Sequence, residues 1–177
     1  MSLTRRLLSG AAAVVAASAV TVLPVLPAAA VAPVGRSAAG PAVCLDASNA
    51  RTNLTHVYLW ECLGNTNQRF VVDNGMIKVE DTLASATPMC LDASNARTNL
   101  TKVYLWQCQN NNTNQIWVVR RGEIALKDTL ASATPMCLDV SNARTNLTKT
   151  YLWQCLGNTN QKFVIDDGLI KVKDTLA

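Results

Sequence analysis

A block of about 46 residues occurs three times in this chain, and the repetition limits the possible folds more than any other feature. Each copy contains Cys-Leu-Asp, then Tyr-Leu-Trp followed two residues later by a second cysteine, then an Asn-Gln pair. The first cysteines of the copies, Cys44, Cys90 and Cys137, recur after 46 and then 47 residues, because a loop at 109–113 is one residue longer. A fixed period in this range indicates one supersecondary unit that packs against copies of itself.

Short β-strands are predicted four times in each copy. In the first copy they fall at 42–46, 56–62, 69–73 and 76–81, separated by polar turn segments and by the hairpin dipeptide Asn74-Gly75. No helical period occurs outside the N-terminal leader. The predicted fold class is therefore all-β. Twelve strands in three equal sets favour a threefold barrel with a hairpin cap, the β-trefoil, since a propeller usually needs at least about four blades.

Alternation along the central strand of each copy divides its side chains between two faces. Val57 and Leu59 point one way, and Tyr58 and Trp60 point the other. The aliphatic face predicts a core shared by the three copies, in which Thr150 replaces valine as a small flaw. The predicted core residues are Leu45, Val57, Leu59, Phe70, Ile77, Leu91, Leu105, Trp117, Ile124, Leu138, Leu152, Phe163 and Ile170.

The six cysteines lie in the repeats, two in each copy, with 17 residues between the members of each pair. An even number at equal spacing indicates disulfides formed in an oxidising compartment. Many pairings are possible, but the threefold repeat favours the one that treats every copy alike: Cys44 with Cys62, Cys90 with Cys108, and Cys137 with Cys155. A zinc site is the alternative, although zinc ligands usually come in more closely spaced pairs.

The N-terminal segment has the pattern of a secretory signal peptide. Arg5 and Arg6 precede a long apolar run, and small residues at 28–30 predict cleavage after Ala30. A transmembrane anchor is the alternative, which Pro24 and Pro27 disfavour by interrupting the run. Export by the general or the twin-arginine route stays open. Residues 31–41 are predicted to be a disordered tail or linker, residues 42–177 the domain, and the location secreted or extracellular.

Charge in the repeats is nearly balanced. From Gly40 onward there are 13 basic and 12 acidic side chains, without a basic stripe. This balance gives little electrostatic reason to expect nucleic acid or an anionic membrane as a partner. We expect no membrane insertion once the leader is removed.

The tryptophans at 60, 106 and 153 lie on the face opposite the aliphatic core and stand among polar residues. An indole in this setting can serve as a flat platform for the apolar face of a pyranose ring. The sugar hydroxyls then need directional partners. Asp46 can accept hydrogen bonds from two neighbouring hydroxyls, and Asn67 can both donate and accept. Gln68, if buried, is suited to hold the loop or the aspartate.

Taken together, these motifs resemble the ricin B-type lectin family, whose QxW repeats form a β-trefoil. The resemblance covers residues 42–177 and rests on three coordinated copies of Cys-Leu-Asp, a tryptophan, and Asn-Gln-x-Trp/Phe. It implies sugar contacts from an aspartate, an aromatic residue and an Asn-Gln pair in every copy. These carbohydrate-binding candidates are Asp46, Trp60, Asn67 and Gln68; Asp92, Trp106, Asn114 and Gln115; and Asp139, Trp153, Asn160 and Gln161.

One departure from the family pattern adds a candidate to each site. The position two before the tryptophan, often glutamine in the family, is Tyr58, Tyr104 or Tyr151, which can form a second aromatic wall and change which sugar fits. The polar loop at 48–55 also differs. A purely structural interpretation competes with binding: the aspartates can cap turns, the tryptophans can pack under loops, and the Asn-Gln pairs can satisfy backbone groups.

The sequence thus predicts a secreted, non-enzymatic lectin with up to three equivalent sites for galactose- or xylose-type glycans. The expected partner is a carbohydrate, with no cofactor and no metal. The alternative is a protein-binding trefoil, such as a protease inhibitor or a toxin-associated subunit. An enzyme is disfavoured because His56 is the only histidine and no nucleophile motif of the Gly-x-Ser-x-Gly kind occurs.

Overall fold

The computed structural model describes residues 40–176, which form β-strands and single-turn 3₁₀ helices but no α-helix. The all-β prediction is therefore confirmed. The predicted signal peptide and most of the predicted linker lie outside the described residues. The strands are β1 (Val43–Asp46), β2 (Thr55–His56), β3 (Tyr58–Glu61), β4 (Phe70–Asp73), β5 (Met76–Val79), β6 (Met89–Ala93), β7 (Thr101–Gln107), β8 (Trp117–Arg120), β9 (Glu123–Leu126), β10 (Met136–Val140), β11 (Thr148–Gln154), β12 (Phe163–Asp166) and β13 (Leu169–Val172).

The predicted strands of the first copy are present with small differences at their ends. The second strand is divided at Val57 into β2 and β3, whereas its counterparts β7 and β11 are continuous. The fourth strand stops at Val79, two residues early, because the chain turns into a 3₁₀ helix, Glu80–Thr82. Thr82 fixes this turn: its hydroxyl donates to the Val79 carbonyl at 2.7 Å and accepts from the Met89 N–H at 3.0 Å.

Each copy builds two hairpins. The first pairs the Cys-Leu-Asp strand with the tryptophan strand, as β1–β3, β6–β7 and β10–β11. The second hairpins are β4–β5, β8–β9 and β12–β13. Asn74 and Gly75 at the tip of the first of these have φ of 50° and 81°, the left-handed pair that a tight hairpin turn requires. Glycine at the second position adopts this conformation without a Cβ penalty.

Contacts between copies run in a ring. The tryptophan strands pair with one another at residues 58 and 149, 151 and 102, and 104 and 56. The second hairpins also link cyclically, since Phe70, Trp117 and Phe163 donate backbone N–H bonds to the carbonyls of Gly168, Gly75 and Gly122. The resulting curled, closed sheet is that of a β-trefoil.

The predicted core is confirmed, because all 13 residues named from the strand alternation are buried. The core also includes side chains beyond that set, among them Met89 and Met136 at the starts of β6 and β10. Thr150, expected as a flaw, is buried with its hydroxyl donating to the Val57 carbonyl at 2.8 Å. The polar atom at this position is therefore satisfied rather than orphaned.

Disulfides link Cys44 with Cys62, Cys90 with Cys108 and Cys137 with Cys155, which confirms the predicted pairing. Each joins the first strand of a first hairpin to the residue that follows its tryptophan strand. Across residues 40–176 we find no group of three or more His, Cys, Asp or Glu side chains arranged to hold a metal ion. Nor does any helix in this range have the length and apolar character needed to cross a membrane.

Candidate functional site

The aspartate and tryptophan of each copy share one face of the first hairpin. In β1 and β3, Asp46 is paired with Tyr58 and Cys44 with Trp60, so Asp46 and Trp60 are diagonal neighbours. The same register recurs in the other two copies. An open hollow lies over this face in each copy, with volumes of about 320, 650 and 250 Å³ in chain order.

The hollows bring together four of the five predicted residues of each copy. The first contains Asp46, Tyr58, Trp60 and Asn67; the second contains Asp92, Tyr104, Trp106 and Asn114; the third contains Asp139, Tyr151, Trp153 and Asn160. The tryptophans and tyrosines are all half-buried, neither packed in the core nor fully in solvent. The structure thus places aromatic surface and a carboxylate in the same hollow three times.

The fifth predicted residue, the glutamine, lies beneath the hollow instead of lining it. Gln68, Gln115 and Gln161 have no exposed surface. Their side-chain amides donate to the Oδ2 atoms of Asp46, Asp92 and Asp139 at 3.1, 2.9 and 2.9 Å. Each amide also donates to the backbone carbonyl that follows the tryptophan, and each glutamine oxygen accepts at least one loop N–H. The glutamines thus hold the carboxylates from beneath the hollow.

Burial changes the acidity of Asp92 and Asp139. Removal from water raises the pKa of Asp92 above its ordinary value, and the bond from Gln115 and the charge of Arg97 only partly oppose that rise. The pKa of Asp139 is raised for the same reason, with Gln161 and Arg144 opposing. The raised pKa means that the charged form of each carboxylate is less favourable in this site than in water.

The second oxygen of these two aspartates has no hydrogen-bond partner among the described residues. Oδ1 of Asp92 and Oδ1 of Asp139 accept no hydrogen bond from the described residues, whereas Oδ1 of Asp46 accepts one from the Ser48 N–H at 2.9 Å. Within the described residues, no buried side-chain nitrogen or oxygen is left without a partner. The free Oδ1 atoms are therefore solvent-accessible acceptors, available to a hydroxyl.

The asparagines are held by an arginine that sequence reasoning missed. The Asn67 oxygen accepts from Arg51 Nη2 at 2.9 Å, and its amide donates to the Asn49 oxygen at 2.7 Å. Arg97 with Asn114 and Arg144 with Asn160 repeat this arrangement. Each asparagine keeps one amide hydrogen and one oxygen lone pair for a ligand.

The same arginines fasten the polar loop that precedes the tryptophan strand. Arg51 donates to the Asp81 carboxylate from Nε and Nη2, both at 2.9 Å, and its Nη1 donates to the Ser48 carbonyl at 2.6 Å. Arg97 with Asp128 and Arg144 with Asp174 do likewise. These ion pairs are partly exposed, so they contribute little to overall stability. Their effect is to fix the loop that forms one wall of the site.

The tyrosines form the second aromatic wall in two copies. The rings of Tyr104 and Trp106 have centroids 6.1 Å apart at 50°, and Tyr151 and Trp153 are 6.1 Å apart at 49°. In the first copy, Tyr58 stacks on His56 instead, at 5.5 Å and 30°. The first site thus differs from the other two in the partner of its tyrosine.

The rims of the hollows also differ. Exposed leucines, Leu63 and Leu156, line the first and third hollows. In the second copy Gln109 replaces this leucine, and the longer loop adds Asn110, Asn111 and Asn112. The second hollow has the largest volume of the three, and amide side chains form most of its rim.

A loop from the preceding copy supports each site. The Asn146 oxygen accepts the N–H of Glu61, the residue after Trp60, at 2.7 Å, and the Leu147 N–H donates to the Leu59 carbonyl at 2.9 Å. Leu147 has φ of 65°, is 60% exposed and lines the first hollow. Asn53 and Leu54 bind the second copy in this way, and Asn99 and Leu100 the third.

Comparisons with known proteins agree with this fold. The Ricin-type beta-trefoil lectin domain family matches residues 36–172, most of the chain. The crystal structure of the C-half of an earthworm R-type lectin, solved in complex with GalNAc, matches with a TM-score of 0.53 and 18% sequence identity. That match covers 73% of this chain and 96% of the chain of the C-half. No curated protein sequence matches the chain. The extent of the family match shows that the chain belongs to the ricin-type β-trefoil lectin family.

Proposed function

We propose that this protein is a secreted lectin that binds carbohydrate at three sites, one in each copy, and performs no chemistry on it. The observation that carries the proposal is the recurrence of a half-buried indole and a glutamine-held aspartate in one open hollow. Membership of a lectin family supports it. The proposed domain spans residues 42–177, behind a signal peptide at 1–30 and a linker at 31–41.

Each hollow offers the two kinds of contact that a pyranose requires. The indole supplies a flat apolar surface for the C–H face of the ring. The aspartate supplies charged acceptors for hydroxyl groups, and charge-assisted hydrogen bonds are the stronger kind. Because Gln115 and Gln161 occupy Oδ2 of Asp92 and Asp139, the free Oδ1 fixes the direction from which a hydroxyl approaches.

Galactose- and xylose-type glycans are the proposed ligands. A site of this shape stacks one ring against the indole while the neighbouring hydroxyls reach the aspartate and the asparagine. The hollows are shallow and open, so each should bind a single sugar weakly. A polymer or a glycan-coated surface that engages several hollows would gain affinity through effective concentration.

The direct test is calorimetric titration of the purified protein with galactose, xylose and polysaccharides built from them. We expect weak binding of the single sugars and tighter binding of the polymers. Replacing Trp60, Trp106 and Trp153 together by alanine should abolish binding without unfolding the protein, because all three side chains are only half-buried.

Leu83→Ala is the matched control, since Leu83 is an exposed apolar side chain that lines none of the three hollows. This variant should bind like the parent. Absence of heat with every glycan on a broad panel, from protein with intact circular dichroism, would reject the proposal.

A further inference from the structure

A ring of alternating basic and tyrosine side chains surrounds the point where the three tryptophan strands meet. Alternation along each strand directs residues 56, 58 and 60 to the same outer face. The pairing between copies then sets His56 beside Tyr104, Lys149 beside Tyr58, and Lys102 beside Tyr151. Each copy thus contributes one basic residue and one tyrosine to the ring.

Five of the six ring residues, all but Tyr104, line a fourth hollow, which shares Tyr58 with the first of the hollows described above and Tyr151 with the third. Its volume is about 540 Å³, and it receives residues from all three copies. The lining residues are His56, Val57, Tyr58, Leu100, Lys102, Val103, Lys149, Thr150 and Tyr151. None of them is acidic, so no carboxylate in the lining offsets the two lysines.

The basic residues of the ring have no partner elsewhere either. Seven ion pairs occur within residues 40–176, and none involves Lys102, Lys149 or His56. Their side chains also make no hydrogen bond within the same range, and all three residues are exposed. By contrast, Lys78 and Lys171 are held by Asp73 and Asp166 at 2.7 and 2.6 Å.

Neither burial nor an ion pair explains why lysines occupy positions 102 and 149 in this hollow. The strand fold needs only a side chain that tolerates solvent, and two ammonium groups in one hollow repel each other. Free ammonium groups and tyrosine hydroxyls are suitable donors for a small oxyanion. The total charge of the domain is nearly neutral, so it does not reveal this local concentration of positive charge.

We propose that the fourth hollow, here called the axial hollow, binds an anionic substituent, a sulfate ester or a carboxylate, carried by an acidic polysaccharide. The proposal rests on the proposed function and narrows its ligand to acidic galactans or xylans. Trp60 lies two residues beyond Tyr58 on the same strand face, so the axial hollow adjoins the sugar sites. Sugar rings stack on the indoles, and the charged group sits between Lys102 and Lys149.

The test compares a sulfated galactan with the same galactan after desulfation. The parent should bind the sulfated polymer more tightly, and this preference should shrink as salt rises toward about 0.5 M, where screening is strong. The Lys102→Gln/Lys149→Gln variant should bind the sulfated polymer about tenfold more weakly and with a smaller salt dependence. Its affinity for the desulfated polymer should stay unchanged.

The matched control is Lys127→Gln/Lys173→Gln, which removes two exposed, unpaired lysines outside the four hollows. Net charge falls equally in the two variants, so only position differs. An equal loss of affinity in the control, or a sulfate preference that survives in Lys102→Gln/Lys149→Gln, would overturn the axial site.

Two further measurements separate this proposal from the proposed function. The variant lacking Trp60, Trp106 and Trp153 should lose the desulfated polymer but keep measurable, lysine-dependent binding of the sulfated one. If the parent binds only the sulfated polymer, and does so through Lys102 and Lys149, the result supports the axial site and rejects sugar binding at the three tryptophan sites. Single-stranded DNA that binds as tightly, with the same dependence on the lysines, would contradict an acidic glycan as the ligand.

Discussion

The buried pair of aspartate and glutamine is the residue-scale feature on which the site depends. A carboxylate that is almost fully covered has an unfavourable solvation energy unless donors surround it. Gln115 supplies one such donor to Asp92, and its remaining amide groups are satisfied by backbone atoms on both sides. The supporting role of the glutamine could be predicted from its chemistry, because an amide has donors for the carboxylate and an acceptor for the loop.

Acidification should weaken sugar binding at the second and third sites before it unfolds the protein. Burial raises the pKa of Asp92 and Asp139, so these groups take up protons at a higher pH than an ordinary aspartate. Protonation removes the charge that strengthens the bond to a sugar hydroxyl. The Trp60→Ala variant, which retains these two sites, should lose affinity progressively as pH falls from 7 towards 4.

Linkage gives the sign of the accompanying change in stability. Because the folded pKa of these aspartates lies above the unfolded value, the native state binds protons more tightly, and protonation of these two groups favours the fold. Circular dichroism at each pH should therefore remain native while calorimetric affinity falls. An affinity that stays constant down to the ordinary aspartate value of 3.8 would contradict the assignment.

At the scale of elements, the strands were predictable and the loops were not. Strand alternation, the turn dipeptides and the cysteine spacing identified the hairpins, their buried faces and their disulfides. The polar loop carries no periodic signal, and its contacts join residues far apart in sequence. Arg51 bonds Asn67 and Asp81, which follow it by 16 and 30 positions. Only the repetition of this arginine at 97 and 144 could have indicated its role.

Replacing Arg97 should damage the second site more than it damages the fold. The planar guanidinium of Arg97 holds Asp128 with two nitrogens while also donating to Asn114 and to the Ser94 carbonyl. Lysine has a single compact charge and cannot span these acceptors. In a background with Trp60 and Trp153 replaced by alanine, Arg97→Lys should lower affinity severalfold.

Stability should change by only about 1 kcal/mol in Arg97→Lys, because the ion pair is partly exposed. Denaturant unfolding measures this change beside the calorimetric affinity. Arg120→Lys is the control, since Arg120 is exposed and joins no ion pair within the described residues. Equal affinities of Arg97→Lys and Arg120→Lys would show that the site does not need the guanidinium group of Arg97.

At the scale of the whole molecule, the sequence repeat predicts the three structural copies but not the contacts between neighbouring copies. Each tryptophan strand accepts a loop from the preceding copy, and in the first copy this loop also brings Leu147 into the hollow. Three nearly identical sequences give no sign of which copy supports which site. That information lies in the cyclic pairing of the strands, where the third copy closes onto the first at residues 58 and 149.

The first site, which includes Leu147 from the third copy, predicts that a variant in one copy weakens binding in the next. Asn146 lies in the third copy, yet its side chain accepts the Glu61 N–H and holds the loop whose Leu147 lines the first hollow. With Trp106 and Trp153 replaced by alanine, only the first site remains for calorimetry. Asn146→Ala should then lower affinity severalfold, while Asn53→Ala and Asn99→Ala, which anchor the loops at the other two sites, should leave it unchanged.

All three asparagine variants should lose similar stability, about 1 kcal/mol each, since each removes one hydrogen bond to an exposed backbone N–H. A difference in affinity among them therefore cannot come from a difference in folding. Equal affinity in the three variants would mean that each site is complete within its own copy. A loss confined to Asn146→Ala would show that closure of the ring builds the first site as well as the fold.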